Sequence, residues 1–303
     1  TCMSKKQHKI LILLIGSIVA IGPFTIDMYL PGFLNIAQDF GVAEYKISYT
    51  LTSYFIGISV GQLFYGPILD RFGRKKPLLI GLSIYLIASV CIALSPTLEF
   101  FIALRFVQAL GASSGIVASF AIIRDKFNGK EAAKVLSSVI LVMGVAPIIA
   151  PTMGGYISAN YGWRYIFYFL AFFALFVIIS LHFFLKKVKA SDLTSEFKLQ
   201  PILKNYLLTL KNRQFLFYNL AGSFAMAVLF TYISSIAYVL LTIYGVSQKT
   251  FSLLFALNAF GFIMGGQVNR FFLRKHSILK ITYVAATCTI LLSLGFLITV
   301  LNS

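Results

Sequence analysis

The stretch GQLFYGPILDRFGRKK (61–76) runs from an apolar segment into a charged turn carrying Arg71, Arg74, Lys75 and Lys76, and GGQVNRFFLRK (265–275) does the same. Gly66, Asp70, Arg71, Phe72, Lys75 and Lys76 align with Gly265, Asn269, Arg270, Phe271, Arg274 and Lys275 at one constant offset. The segments they close are the second and the eighth of a series of long apolar runs. A displacement of six runs implies a duplicated six-helix unit, and because six is even both copies face the same way, the parallel-repeat arrangement of secondary transporters.

The runs cover 9–34, 45–69, 77–96, 98–123, 134–158, 163–185, 214–243, 249–270 and 279–301. Each approaches or exceeds the ~20 residues that cross a bilayer as a helix. Barrel strands would be shorter and would alternate, so the fold class is an all-α membrane protein. The composition agrees: 59% of the 303 residues are hydrophobic and 12% are charged. The expected organisation is an N-terminal six-helix bundle at 1–185, a linker at 186–213, and an incomplete C-terminal bundle of three helices at 214–303. Nine spans out of an expected twelve make the chain look C-terminally truncated. Span 1 is read as retained, because its apolar run passes residue 30 without a small-residue cleavage site.

A net charge of +17 raises nucleic acid as a partner, and the positions of the basic residues remove it. Lys5, Lys6 and Lys9, then Arg71 to Lys76, Arg124 to Lys134, the 186–213 connection and Arg270 to Lys280 all fall on one side of the expected bilayer. The opposite loops hold Lys46, Arg164 and Lys249. This asymmetry follows the positive-inside rule and places the N-terminus in the cytoplasm. Within the linker, PILKNYLLTLKN (201–212) reads as an amphipathic helix resting on the membrane surface. Cys2, Cys91 and Cys288 have no metal-ligand or disulfide spacing, so no metal is expected. No phosphate-binding loop is present, so neither a nucleotide cofactor nor direct ATP drive is expected.

Two charges lie well inside the spans. Asp27, in IGPFTIDMYLPGF (21–33), is flanked by Pro23 and Pro31; Arg105, in FFIALRFVQALGASSG (100–115), is followed by Gln108. An unpaired charge at such a depth costs at least ~2.5 kcal/mol. Counting 1.5 Å per residue from the expected span ends puts both at roughly 10 Å below the same surface. They are therefore expected to face one another, directly or through water. A desolvated carboxylate favours its protonated form and a nearby arginine its charged form, so alternating the two environments makes a proton switch. Tyr29, Tyr54 and Gln108 are candidates to line a substrate cavity. Trp163 is expected to be an interface anchor.

The 61–76 stretch resembles the signature loop of the major facilitator superfamily, with Gly66, Asp70, Arg71, Gly73, Arg74 and Lys75 at its key positions. Gly66 is expected to permit close approach of a neighbouring helix and Gly73 a tight turn. The resemblance implies that the loop is a conformational latch between two six-helix halves. Span 5, SSVILVMGVAPIIAPTMGG (137–155), is similar to the exporter motif of that superfamily through Pro151, Gly154 and Gly155. Ala146, Ala150 and Gly154 make a small-residue stripe beside Pro147 and Pro151. Arg105 and Gln108 resemble the superfamily's arginine-glutamine motif, with Ala109 where glycine is usual. The combination, with IDMYLP in span 1, is most similar to drug:proton antiporters of the Bcr/CflA type. It implies a bacterial inner-membrane exporter of small hydrophobic drugs, not an enzyme, with protons, drug and lipid bilayer as partners and Asp27 and Arg105 coupling the proton. A proton-driven symporter and a truncated membrane protein without transport are the alternatives.

Overall fold

The structure, a computed structural model, describes residues 5–185, 199–272 and 276–301. Each expected span meets a helix. Span 1 is divided: α1 (Lys5–Asp27) gives way to a 3₁₀ turn (Leu30–Gly32) and then α2 (Phe33–Phe40). Pro31 is the reason, since it has no N–H to offer the carbonyl of Asp27, four residues earlier. Pro23 is accommodated inside α1. Then follow α3 (Ser48–Phe72), α4 (Lys75–Ala93), α5 (Leu98–Lys126), α6 (Gly129–Tyr161) and α7 (Arg164–Phe184). The linker forms α8 (Leu199–Lys211), after which come α9 (Arg213–Ala237) with a π-helical extension (Tyr238–Ile243), α10 (Gln248–Phe272) and α11 (Ile278–Leu301). Thr97 and Asn212 cap α5 and α9 by accepting hydrogen bonds from Phe100 N and Phe215 N.

Among the described residues, six segments are long and apolar enough to cross a membrane by length and composition: Lys9–Phe40, Lys75–Ala93, Leu98–Lys126, Val135–Tyr161, Arg164–Phe184 and Arg213–Ile243. α3 and α10 are long enough but are diluted by hydroxyl, amide and glycine positions. α11 contributes a shorter apolar stretch, Lys280–Gly295. The chain is a multi-pass, all-α membrane protein.

Contacts divide it into two compact units, Thr1–Ala256 and Leu257–Ser303. The first holds the site described below. In its core α3 packs on α5, α4 on α5 and α7, and α1 on α6. Small residues set the spacing. A Cβ at Gly57 would stand 2.6 Å from the Phe106 carbonyl oxygen, and one at Gly61 would collide with Ser113. At Gly154 it would strike the Met28 backbone, so α6 rides directly on the end of α1.

The end of the bundle away from the basic loops is closed by aromatic packing. Trp163 stacks on Phe101 with ring centroids 5.6 Å apart, and Phe167 meets both rings edge-on. Its indole N–H donates to Asp39, which also pairs with Arg164. Trp163 is therefore a buried core residue, against the expectation of an interface anchor, because Asp39 gives its N–H a protein partner. At the same end Ser48 Oγ donates to the Ser234 carbonyl and Phe55 packs on Phe230 at 4.4 Å, tying α3 to α9.

Candidate functional site

Arg105 on α5 is fully buried. It does not reach for the surface. Its Nη1 donates to Gln108 Oε1 at 2.7 Å and its Nη2 to the Thr25 carbonyl at 3.3 Å. The guanidinium lies 4.5 Å from the Tyr29 ring centroid and 4.3 Å from that of Tyr54, with Phe167 at 5.9 Å. Aromatic faces attract a desolvated cation by about 2 kcal/mol each, offsetting part of the cost of burying the charge. Tyr29, Tyr54 and Gln108, the candidates to line a substrate cavity, wall this guanidinium, and all three are fully buried.

The surrounding hydrogen bonds have fixed directions. Thr25 Oγ1 donates to the Ile21 carbonyl, so the hydroxyl of Tyr85 donates to Thr25 across 2.6 Å. By the same argument Thr50 donates to the Ile47 carbonyl and Tyr29 donates to Thr50. Gln108 passes an N–H to Ser89 Oγ, which donates to the Tyr85 carbonyl. One polar network thus links α1, α3, α4 and α5 around a single cation. Thr25, Thr50, Tyr85 and Ser89 went unnoticed in the sequence, because a hydroxyl in an apolar run carries no sign of its partner.

Asp27 is 4% exposed and its Oδ1 has no hydrogen-bond partner. Among the described residues it forms no ion pair, so direct pairing with Arg105 is not present in this structure. Helical geometry gives the reason. Asp27, the last residue of α1, is two residues from Thr25 and so about 200° around the helix from the position that meets Arg105 and Tyr85.

At the basic end, Gly73 has φ +78°, a left-handed value that lets α3 turn into α4. Arg74 is 2% exposed and bridges two carboxylates: Nη1 to Asp70 Oδ1 at 2.7 Å and Nε to Asp125 Oδ2 at 2.8 Å. Burial alone would lower the pKa of Arg74, but the hydrogen bonds to Asp125 and Asp70 outweigh it and hold it above its ordinary value. Lys75 Nζ donates to the His182 carbonyl at the end of α7. The loop therefore fastens α3, α4, α5 and α7. Asp125 was overlooked in the sequence, where it sits among Arg124, Lys126 and Lys130. Arg71 lies beside the Phe72 ring at 5.4 Å. Gly66 departs from expectation: a Cβ there meets nothing within 4 Å. It borders a groove of about 500 Å³ between α3 and α5, lined by Gln62, Asp70, Arg74, Phe120 and Arg124. The matching side chains Asn269, Arg270, Arg274 and Lys275 lie outside the described residues.

On α6, Ala146 and Ala150 are buried and Gly154 abuts Met28, so the small-residue stripe is a packing face. Pro147 and Pro151 lie within an uninterrupted helix. The Pro151 carbonyl accepts from Ser252 Oγ at 3.0 Å, and a Cβ on Gly155 would stand 2.7 Å from that hydroxyl, so the motif receives the first turns of α10. No cluster of metal-ligating side chains occurs among the described residues.

Comparison with known proteins agrees with this architecture. The family described as Major Facilitator Superfamily matches residues 13–303. A Bicyclomycin resistance protein homolog of Haemophilus influenzae is 34% identical over 271 residues, 89% of this chain and 68% of that protein. An uncharacterized MFS-type transporter, YdgK, of Bacillus subtilis is 35% identical over 286 residues, 93% of this chain and 71% of its own length. Multidrug resistance protein MdtL of Escherichia coli O81 is 31% identical over 243 residues, 80% of this chain and 61% of its own length. The chain thus spans about two thirds of the curated relatives it matches. A bacterial homolog of the human lysosomal transporter Spinster, solved inward-facing and unoccupied, superposes with a TM-score of 0.72 at 17% identity, covering 90% of this chain and 65% of that one, and supports the fold. The chain belongs to the major facilitator superfamily, a family of membrane transporters and not of enzymes.

Proposed function

We propose that this chain is the larger part of a proton-coupled antiporter that exports small hydrophobic drugs by alternating access. The observation that carries this reading is a carboxylate, Asp27, buried with an unpartnered oxygen in the same helical unit that cages the guanidinium of Arg105. Relatives named for bicyclomycin and multidrug resistance support the substrate class. A buried, unpaired carboxylate is costly as an anion, and neutralisation by a proton relieves that cost. In the proposed cycle Asp27 takes a proton on one side of the membrane and surrenders it on the other. Arg105, held by Gln108 and Thr25, supplies the fixed positive field that favours release.

The 61–76 loop is the proposed latch, with Arg74 as its centre, and the α6 motif the proposed hinge face between halves at 1–185 and 214–303, joined by the 186–213 linker. The basic loops support a cytoplasmic N-terminus in the bacterial inner membrane. The test is expression in a pump-deficient bacterium of this chain, of a version extended to twelve spans, and of the extended version carrying Asp27→Asn. Drug resistance in the extended protein and its loss in Asp27→Asn are the expected outcome. Proton movement in the same direction as drug would instead identify a symporter.

A further inference from the structure

The carbonyl of Leu63 in α3 has lost its helical donor, because residue 67, four positions on, is Pro67 and carries no N–H. An unmatched backbone carbonyl is an acceptor in want of a partner. The Tyr206 hydroxyl, from the middle of α8, donates to that same oxygen at 2.8 Å. Two features unrelated in sequence, a proline in α3 and a tyrosine in the linker, thus meet at one atom. The site is seven residues from Asp70, roughly 10 Å along the helix, so the bond lands on the segment that carries the Asp70–Arg74–Asp125 bridge.

We propose that α8 is a strap that docks reversibly on the proline-freed Leu63 carbonyl through Tyr206, coupling the linker to the end of α3 that enters the signature loop. A flexible connection between two moving bundles has no need of such a bond. A linker that fastens to α3 in one arrangement and releases it in another adds its docking energy to that arrangement. This role depends on neither the substrate nor proton coupling.

Hydrogen exchange on the whole chain in lipid nanodiscs tests it. In Tyr206→Phe the amides of α8 should exchange about fivefold faster, the population shift that one net hydrogen bond supports, while those of α7 stay unchanged. Pro67→Ala returns a backbone N–H to Leu63 and removes its need for an outside donor, so it should also loosen α8. The double variant should be no looser than either single one. Unchanged exchange in Tyr206→Phe, independent and multiplying effects of the two substitutions, or a rise shared equally by α7 would each overturn the strap.

Discussion

Thr25 turns its carbonyl to Arg105 at 3.3 Å, while Asp27, two residues further on, leaves Oδ1 unpartnered. The acid and the base of the proposed switch are therefore unpaired in this conformation. Bringing them together would require a rotation of α1 or a bridging water.

The cage around Arg105 makes the shape of the guanidinium as important as its charge. Arg105→Lys keeps the charge but loses the planar group held between Tyr29 and Tyr54 and the donation to Gln108. We expect it to destabilise the protein by about 2 kcal/mol, read as a lower unfolding temperature in detergent, and to abolish export in the extended protein. Gln108→Ala should cost about 1–3 kcal/mol, because it strips partners from both Arg105 and Ser89.

Arg74 and Asp125 should behave as one unit. Arg74→Ala and Asp125→Ala are each expected to destabilise the N-terminal helices, and the double variant should fall short of their sum by about 0.5–3 kcal/mol. Additive unfolding free energies would remove Asp125 from the loop's fastening.

Gly154 and Gly66 should part company. Gly154→Ala places a methyl against the Met28 backbone and is expected to cost about 1–3 kcal/mol, measured as reduced folded yield and lower thermal stability. Gly66→Ala meets open space, so folding should be unaffected. If the groove beside it closes during transport, the same substitution should still slow export, separating a role in the cycle from a role in the fold.

Much of the helical fold was legible in the sequence for a physical reason: a bilayer demands long apolar runs, and these are read residue by residue. The turn at Gly73 was visible in the same way. What stayed hidden depends on azimuth and partner. Counting gives Asp27 and Arg105 similar expected depths, but which face of α1 meets α5 is set by packing between helices distant in sequence. Trp163 looked like a membrane anchor until Asp39, far away in the chain, was seen to take its N–H. Gly66 carried the motif's glycine, yet Gly57 and Gly61 make the close approach to α5.

Proton-coupled drug uptake by inverted membrane vesicles tests the central claim most directly. With the extended protein, an imposed proton gradient should drive drug accumulation, and drug addition should release protons from the vesicle interior. Asp27→Asn preserves the shape of the side chain and should abolish both while leaving drug binding detectable. Full gradient-driven accumulation in Asp27→Asn would contradict the account.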